Sequence, residues 1–296
     1  MTQNSETKIT IAVTGANGFV GSNLALTLTR AGHNVVALCR SPAELPTDSN
    51  IKTIETDYSP QALIKQLTDV QAIIHLVAKT HSEDNLDEIE QYRQINVELT
   101  KTIAQSAAAA GVEHFVYLSS IKVNGETTKL IPFNSPNSPR PTTAYGISKW
   151  EAEQALHLIH RKTGLKTTIV RCPLVYSPDA KGNIRALRKA INKGIPLPLG
   201  SIKNKRTIID LEQLSQTLMQ ICTSRQCDNQ TLLVGNKKSL STAALARKLG
   251  ADIGVPARIV PFPVFILKAL FALTGNTQTI NKLCESLEIT PDLPEN

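Results

Sequence analysis

The chain has 296 residues, of which 41% are hydrophobic and 19% charged, enough to bury one large core or a large and a small one. Aromatic residues make up only 4%, so the core must be mainly aliphatic, as in parallel strands buried on both faces. The net charge of +7 favours anionic partners, but the basic residues form no long tract with aromatic residues. We therefore expect a small polyanionic ligand and no nucleic acid.

Five cysteines without a CxxC pair fit the reduced thiols of a cytoplasmic protein, and the first eight residues lack the apolar core of a signal peptide. The most apolar stretch, Ile259–Leu273, is interrupted by Pro261, Pro263 and Lys268. It is shorter than the roughly 20 residues that cross a bilayer. We therefore predict no membrane span and a core helix that begins after the prolines, with an interfacial membrane contact as the alternative.

Short apolar runs alternate with longer helical patterns over the first two thirds of the chain. Strands are predicted at residues 8–14, 34–39, 51–55, 71–77, 113–118 and 166–170, and helices at 18–31, 60–67, 86–110 and 145–162. This alternation predicts an α/β fold with a doubly wound parallel Rossmann sheet. After Arg171, prolines and glycines become frequent. We predict a dinucleotide-binding domain over residues 1–171 and a smaller mixed substrate lobe over 172–296, with elements that return to the main sheet.

A glycine-rich turn, TGANGFVG, follows the first predicted strand and opens the first helix. Its first glycine permits a tight turn, its second lets the backbone approach a pyrophosphate, and its third lets the helix pack against the strand. The helix then offers free N–H groups and the positive end of its dipole to phosphates. The turn predicts a cofactor site made of Gly15, Asn17, Gly18, Phe19, Val20 and Gly21.

The end of the second strand carries Cys39 and Arg40, where an NAD enzyme usually has an acidic residue for the ribose hydroxyls. An arginine here pairs well with a 2′-phosphate, so NADP(H) is favoured and NAD(H) remains open. The alternative is that Arg40 is an ordinary surface cation. Asp57, after the third strand, is a candidate acceptor for the adenine amine.

Two further patterns carry acid–base chemistry. Tyr145 and Lys149 stand four residues apart on a predicted helix, so they share a face, and an ammonium there lowers the pKa of a phenol. Such a phenol can exchange protons near neutral pH. Ser120 ends an apolar strand, where its hydroxyl either bonds a substrate oxygen or caps the next segment.

With these motifs in this order, the chain resembles the extended short-chain dehydrogenase/reductase family of sugar-nucleotide epimerases, reductases and dehydratases. The resemblance spans roughly residues 8–289. It rests on TGANGFVG, HLVA at 75–78, LSSIKVNG at 118–125, YGISK at 145–149, RCPLVY at 171–176 and KRTIID at 205–210. SSIKVNGE and YGISKWEAE are most similar to bacterial enzymes that act at C4 of N-acetylated sugar nucleotides in surface-polysaccharide synthesis.

The resemblance implies a role for each matching residue. Ser120 would bond the sugar oxygen, Tyr145 would be the acid–base, and Lys149 would bond the nicotinamide ribose and tune Tyr145. Further cofactor positions are implied at Leu76, Val77, Ala78, Asn96 and Pro173. Asn183 and Arg206 would hold the nucleotide diphosphate. Homodimers are common in the family, so a homodimer is an expectation by analogy.

Three departures from the family pattern matter. The 4,6-dehydratases carry an Asp-Glu pair where this chain has Ile121-Lys122, so water elimination is not expected. Leu174 replaces an asparagine that many relatives use on the substrate. A C-terminal Gly-Trp-x-Pro-like segment is also missing, since the only tryptophan is Trp150.

The sequence therefore predicts an NAD(P)-dependent hydride transfer at C4 of a nucleoside-diphosphate sugar. A UDP-sugar 4-epimerase and a 4-ketoreductase both fit. The alternative from another class is a non-enzymatic NADP(H)-binding redox sensor of the same fold.

Other polar residues admit simpler explanations. His75 is expected to be a hydrogen-bonded core residue, whereas His81 and Lys79 are candidates to face the substrate. Glu153, His157 and His160 share a helical face, but no further ligand accompanies them, so we predict no metal site and expect salt bridging or solvation instead.

Overall fold

The computed structural model describes residues 8–41, 45, 48–80, 86–135, 137–273 and 277–293. Two compact units emerge from the chain. The first contains Met1–Gly125, Ser135–Cys172 and Leu211–Val234, and the second contains Glu126–Asn134, Pro173–Asp210 and Gly235–Asn296. The domain boundary at residue 171 remains a prediction of the sequence.

A seven-stranded parallel sheet forms the centre of the first unit. Its strands are β1 (Thr10–Thr14), β2 (Asn34–Cys39), β3 (Ile51–Glu55), β4 (Ala72–His75), β5 (His114–Ser120), β6 (Lys166–Cys172) and β9 (Thr231–Leu233). They lie in the order β3-β2-β1-β4-β5-β6-β9, and every neighbouring pair is parallel. The predicted doubly wound Rossmann fold is therefore confirmed.

Helices connect these strands. They are α1 (Phe19–Arg30), α2 (Pro60–Gln66), α3 (Ile89–Arg93), α4 (Leu99–Ala109), α5 (Ala144–Thr163) and α7 (Leu211–Ser224). A π-helical turn, Gln94–Glu98, joins α3 to α4, and a short 3₁₀ helix, Ile121–Val123, follows β5. The strand order reverses between β1 and β4, and ligands of such sheets bind beyond the carboxyl ends of the strands at that point.

The central strands are buried along most of their length because the chain supplies aliphatic side chains on both strand faces. His75 lies among them, fully buried, with its ring nitrogens 2.6 Å from Thr14 Oγ1 and 2.9 Å from Thr100 Oγ1. Burial lowers the pKa of His75 to about 3, so the ring is neutral at physiological pH. Its predicted role as a satisfied core residue is confirmed.

The second unit has its own aliphatic core. Its elements are β7 (Leu174–Tyr176), β8 (Ile208–Asp210), α6 (Asn183–Asn192), α8 (Thr242–Asp252), α9 (Val264–Leu273) and α10 (Thr277–Cys284). β7 and β8 form a parallel pair. The buried amide of Asn204 ties the unit together, since it donates to Thr242 Oγ1 at 3.0 Å and to the carbonyls of Leu283 and Glu285 at 3.2 and 3.1 Å.

One predicted element differs in its environment. The apolar stretch Ile259–Leu273 does form a helix after Pro263, but the prediction of a core helix is wrong. Leu267 is the only buried residue of α9, whereas Phe265 is 75% exposed and Leu273 is 85% exposed. Hydrophobicity alone predicts burial without showing which face another element covers. Among the described residues, no helix is long and apolar enough to cross a membrane.

Candidate active site

Ser120 lies at the carboxyl end of β5, opposite Cys172 of β6. Its side chain is 92% buried, and its Oγ accepts a hydrogen bond from the Lys122 amide at 3.3 Å. The hydroxyl therefore caps the 3₁₀ helix Ile121–Val123. A hydroxyl has two acceptor lone pairs and one donor, so this contact leaves hydrogen-bonding capacity for a ligand.

Tyr145 lies in the first turn of α5, which begins beside that 3₁₀ helix. Thr143 caps α5, with its Oγ1 accepting from the Gly146 amide at 3.2 Å. A Cβ at Gly146 would stand 2.8 Å from the Lys122 carbonyl, so only glycine allows this approach. Tyr145 is half-buried, and its ring centroid lies 5.8 Å from Lys122 Nζ.

Lys149 lies one helical turn after Tyr145 and is almost fully buried. Its Nζ donates to the Leu118 carbonyl at 2.9 Å and sits 4.5 Å from the Tyr117 ring centroid. Burial lowers the pKa of Lys149 to about 8, against the opposing pull of Cys172 and Glu153. The ammonium is therefore charged at neutral pH and titrates just above it. The predicted Tyr–Lys pair thus shares one helix face with its lysine anchored to the serine's strand.

A buried ion pair supports this face from the next turn of α5. Glu153 Oε2 lies 2.6 Å from Arg171 Nη2, and Arg171 Nε donates to Glu153 Oε1 at 3.1 Å. The side chains of Arg171 and Glu153 are 4% and 0% exposed. Ser119 Oγ donates to Glu153 Oε1 at 2.5 Å, and Arg171 Nη1 donates to Asn124 Oδ1 at 3.1 Å. One carboxylate therefore joins α5, the end of β5 and β6.

The sequence alone does not place this network at the site. It predicts a salt bridge or solvation for Glu153, His157 and His160. The ion pair between Glu153 and Arg171 confirms the salt bridge for Glu153. His160 instead lies with Nδ1 2.8 Å from the Leu165 carbonyl. The available signal was spacing, because Tyr145, Lys149 and Glu153 follow one another at four-residue intervals on one helix.

The glycine-rich turn fits a dinucleotide pyrophosphate. Gly15 adopts φ +67°, and a Cβ there would lie 3.2 Å from Val77 Cγ2. A Cβ at Gly21 would lie 2.2 Å from the Gly15 carbonyl oxygen, so α1 packs on the turn only because this position lacks a side chain. Gly18 precedes α1, and no acidic side chain stands in the first helical turn. The first amides of α1 therefore present the positive end of its dipole without a competing carboxylate.

Three further residues predicted to bind the cofactor, Asn17, Arg40 and Asp57, follow the ends of β1, β2 and β3. Asn17 Nδ2 donates to the Ser41 carbonyl at 2.8 Å, so it links the turn to the end of β2. Arg40 is exposed and directly follows β2. Asp57 is exposed too, and the Ser59 amide donates to its carboxylate at 2.8 Å, which lowers the pKa of Asp57.

Leu76, Val77 and Ala78 follow β4, half-buried beside the turn. The Leu76 amide bonds Thr14 Oγ1 at 3.2 Å, and Val77 is the residue that a Gly15 side chain would strike. Phe19 and Val20 begin α1, with Phe19 36% exposed. These positions follow the carboxyl ends of β1 and β4, where the strand order reverses.

Asn96 lies in the π-helical turn and is fully buried. Its Oδ1 accepts from the Lys79 amide at 2.8 Å, and its Nδ2 donates to the Lys79 carbonyl at 3.1 Å and to Ser148 Oγ at 2.9 Å. Asn96 thus holds the segment after β4 against α5. π-helical turns often occur at functional sites. This one places the Asn96 side chain in contact with both Lys79 and Ser148.

The remaining predicted residues have defined partners or positions. Lys79 Nζ forms an ion pair with Glu88 at 3.2 Å, whereas His81 lies outside the described residues. In the second unit, Pro173 is buried and Asn183 is the exposed first residue of α6. Arg206 Nη1 donates to the carbonyls of Lys282 and Glu285 at 3.0 and 3.2 Å, and burial lowers its pKa.

Glu153→Gln is predicted to destabilise the protein by about 3–5 kcal/mol, because the Arg171 guanidinium would keep its burial and lose its counter-charge. Chemical denaturation with fluorescence or circular dichroism measures this change. Glu151→Gln is the matched control on the same helix. Glu151 pairs with Arg93 at 2.6 Å, but these side chains are 31% and 40% exposed, so less than about 1 kcal/mol is expected. Equal losses in the two variants would contradict the role of the buried pair.

Lys149→Met is predicted to raise the free energy of unfolding at pH 7 by about 1–3 kcal/mol, since it removes a buried ammonium. The burial cost is present while Lys149 is charged in the folded state, below pH 8, and fades as the pH rises from about 8 to the ordinary lysine pKa of 10.5. Wild-type stability should therefore rise with pH in that window and approach that of the variant. Denaturation at several pH values tests this. Lys101→Met is the control, since the Lys101 side chain is 39% exposed, and it should show no such convergence. A stability advantage of Lys149→Met that is independent of pH would contradict the assignment.

Comparison with known proteins agrees with this geometry. The NAD dependent epimerase/dehydratase family profile matches residues 11–235. The UDP-glucose 4-epimerase of Vibrio cholerae is 30% identical over 283 residues, which cover 94% of this chain and 86% of that protein.

Solved structures show the same fold. The UDP-N-acetylglucosamine 4-epimerase from Bacillus cereus superposes with a TM-score of 0.77 at 22% identity, over 96% of this chain and 91% of that chain. The UDP-glucuronic acid 4-epimerase from Bacillus cereus, in complex with NAD, superposes with a TM-score of 0.72 at 21% identity, over 86% and 88% of the two chains. The family profile covers the glycine-rich turn, the strand-end serine and the tyrosine–lysine pair in one match. The chain therefore belongs to the NAD dependent epimerase/dehydratase family of extended short-chain dehydrogenase/reductase enzymes.

Proposed function

We propose that this enzyme epimerises C4 of a UDP-sugar, with Ser120, Tyr145 and Lys149 as its catalytic residues. The observation that carries the proposal is the anchored lysine: Lys149 is buried beneath the face of α5 that holds Tyr145 and is bonded to the strand that ends in Ser120. The UDP-glucose 4-epimerase of Vibrio cholerae, matched over nearly the whole chain, supports the same reaction.

In this mechanism the side chains of the protein orient the C4 oxygen and transfer its proton. Ser120 Oγ donates a hydrogen bond to the C4 oxygen of the sugar, which orients it toward the Tyr145 hydroxyl. Tyr145, as phenolate, accepts the proton of the C4 hydroxyl and later returns it to the same oxygen. A dinucleotide bound at the glycine-rich turn would supply the hydride chemistry at C4. For epimerisation, the 4-keto sugar must turn its other face before the return.

Two ammonium groups favour the phenolate form of Tyr145. Lys149 lies one turn along α5, and Lys122 Nζ lies 5.8 Å from the Tyr145 ring centroid. A positive charge near a phenol stabilises its ionised form. Lys122 also stands where 4,6-dehydratases carry an acidic residue, so the site has a cation where water elimination needs a carboxyl group.

The second unit supplies the charge that a nucleotide diphosphate requires. It carries 16 Lys and Arg against 8 Asp and Glu, a net +8, whereas the first unit has 16 against 17. We propose that Arg206 and Asn183 hold the diphosphate. Arg206 Nη1 is committed to backbone carbonyls, so the rest of the guanidinium is the part offered to phosphate oxygens.

Incubating the purified enzyme with UDP-glucose or UDP-N-acetylglucosamine, with no added cofactor, tests the reaction directly. An epimerase with retained dinucleotide should yield the C4 epimer, resolved by chromatography and mass spectrometry. Denatured enzyme should release the dinucleotide, which identifies it. Absence of both C4 epimerisation and dinucleotide binding would overturn the proposal.

Tyr145→Phe is predicted to lower turnover by about 10²–10⁴-fold, because phenylalanine cannot exchange the proton. Dinucleotide binding, measured by calorimetry, should change little. Tyr92→Phe is the matched control, since its ring centroid lies 6.4 Å from that of Tyr145 and its turnover should stay within a few-fold. Full turnover by Tyr145→Phe would exclude the acid–base role. Dinucleotide binding without turnover in the wild type would favour the redox sensor.

Arg40 supports a second candidate, a 4-ketoreductase that uses NADP(H). It is the exposed residue directly after β2, where a guanidinium can pair with a 2′-phosphate. We favour NADP(H) on this residue alone, while the NAD complex of the Bacillus cereus relative supports NAD(H). Consumption of NADPH with a UDP-4-keto-sugar, without C4 interconversion, would identify the reductase.

Arg40→Ala is predicted to weaken NADP(H) binding by about tenfold or more, since a charge-assisted bond to phosphate is worth about 1.5–3 kcal/mol. NAD(H) binding should change by less than a factor of about three, because NAD(H) lacks that phosphate. Titration of both cofactors by fluorescence measures the split. Equal weakening, or a wild type that binds only NAD(H), would contradict the contact.

A cytoplasmic role in polysaccharide synthesis and a homodimer remain proposals from family resemblance.

A further inference from the structure

Helix α9 exposes several large apolar side chains to solvent. Phe265 is 75% exposed, Ile266 38%, Leu270 50% and Leu273 85%. Ala269 and Ala272 are exposed too. Val264, Leu267 and Phe271 form the opposite side, which packs on the core of the second unit. An exposed, contiguous apolar face of this kind marks a binding surface.

The segment before α9 extends this surface. Val260 is 37% exposed and Ile195 is 46% exposed. The segments that contain them run side by side, because the Leu197 amide donates to the Arg258 carbonyl at 2.8 Å and the Val260 amide donates to the Leu197 carbonyl at 2.9 Å. We call Ile195, Val260 and the exposed residues of α9 the apolar face.

The segments that carry the apolar face contain no acidic side chain, although Asp179, Asp210, Asp252 and Glu285 directly border them. No Asp or Glu occurs between Ile253 and Cys284, which includes α9, or between Ala180 and Ile209, which includes Ile195. Within these segments Lys193 and Arg258 are exposed near Ile195 and Val260, and Lys268 is exposed on α9 itself. The second unit as a whole carries the net +8, while the first is nearly neutral.

We propose that the apolar face docks the enzyme on the interfacial region of an anionic lipid bilayer. A helix with an apolar face and basic flanks lies in the plane of the membrane, with its apolar side chains at the boundary between headgroups and acyl chains. α9 has ten residues, too few to span a bilayer. Arg258 and Lys268 carry the charge that attracts anionic headgroups.

The charge pattern distinguishes a bilayer from a second copy of the chain. In a two-fold pairing through the apolar face, each copy would bring the same basic flanks to the interface, and like charges there oppose association. No acidic side chain within residues 253–284 or 180–209 offsets that repulsion. An anionic surface, by contrast, gains from every one of these cations.

Sedimentation of the full-length enzyme with vesicles tests the proposal. Binding is expected to phosphatidylcholine vesicles that contain about 30% phosphatidylglycerol, and to weaken when the salt is raised from about 0.1 to about 0.5 M. Phe265→Ser combined with Leu270→Ser should weaken binding by about tenfold or more. Lys268→Gln should weaken it by about fivefold. These positions are exposed, and far-UV circular dichroism checks that each variant is folded.

Leu130→Ser with Ile131→Ser is the matched control. These residues are 96% and 76% exposed, more than Phe265 at 75% and Leu270 at 50%, and they belong to the same basic unit. The control should bind vesicles within a factor of two of wild type, and all variants should keep wild-type turnover of a soluble substrate. No binding to anionic vesicles, or equal binding by the α9 variant, would overturn the proposal. A concentration-dependent dimer that the α9 variant abolishes, without vesicle binding by wild type, would assign the face to a second copy.

Discussion

The buried ion pair between Glu153 and Arg171 is the contact on which the active-site geometry depends. It joins α5 to β6, and through Ser119 it reaches the strand that carries Ser120. A carboxylate and a guanidinium this deeply buried are stable only when their remaining hydrogen-bonding groups are satisfied. Ser119 and Asn124 supply those bonds. The face of α5 that carries Tyr145 is therefore held against the strand end by charge as well as by packing.

The same carboxylate affects the neighbouring lysine. Burial of Lys149 opposes its charge, whereas Glu153 favours it, and the balance leaves its pKa at about 8. A lysine in solution would be charged far beyond physiological pH, and a buried one without a counter-charge would lose its proton below it. The protein thus keeps a charged lysine in a dry site, where a positive charge acts more strongly on a neighbouring phenol. The buried ammonium that the proposed function requires comes with a cost in stability, as is common at catalytic sites.

Much of the first unit could be predicted from sequence because its signals are local. β2 matches its predicted bounds because its apolar run ends where the chain turns polar, and the bounds of β3 match as well. The proposed catalytic residues Tyr145 and Lys149 were identified from their spacing. The Glu153–Arg171 pair could not be predicted in the same way, because it joins residues 18 apart whose facing depends on how α5 lies on the sheet. The π-helical turn at Asn96 was also missed, since its sequence reads as ordinary helix.

The failure at α9 has a related cause. Its composition is that of a core helix, and hydrophobicity records what a side chain prefers without showing whether the fold provides it with a partner. The core of the second unit is already filled by residues such as Ile184, Ile208 and Leu249, so it accepts one side of α9. The side left over costs solubility unless something covers it. The excess of basic side chains in the second unit, 16 Lys and Arg against 8 Asp and Glu, is the reason to connect this face with an anionic surface.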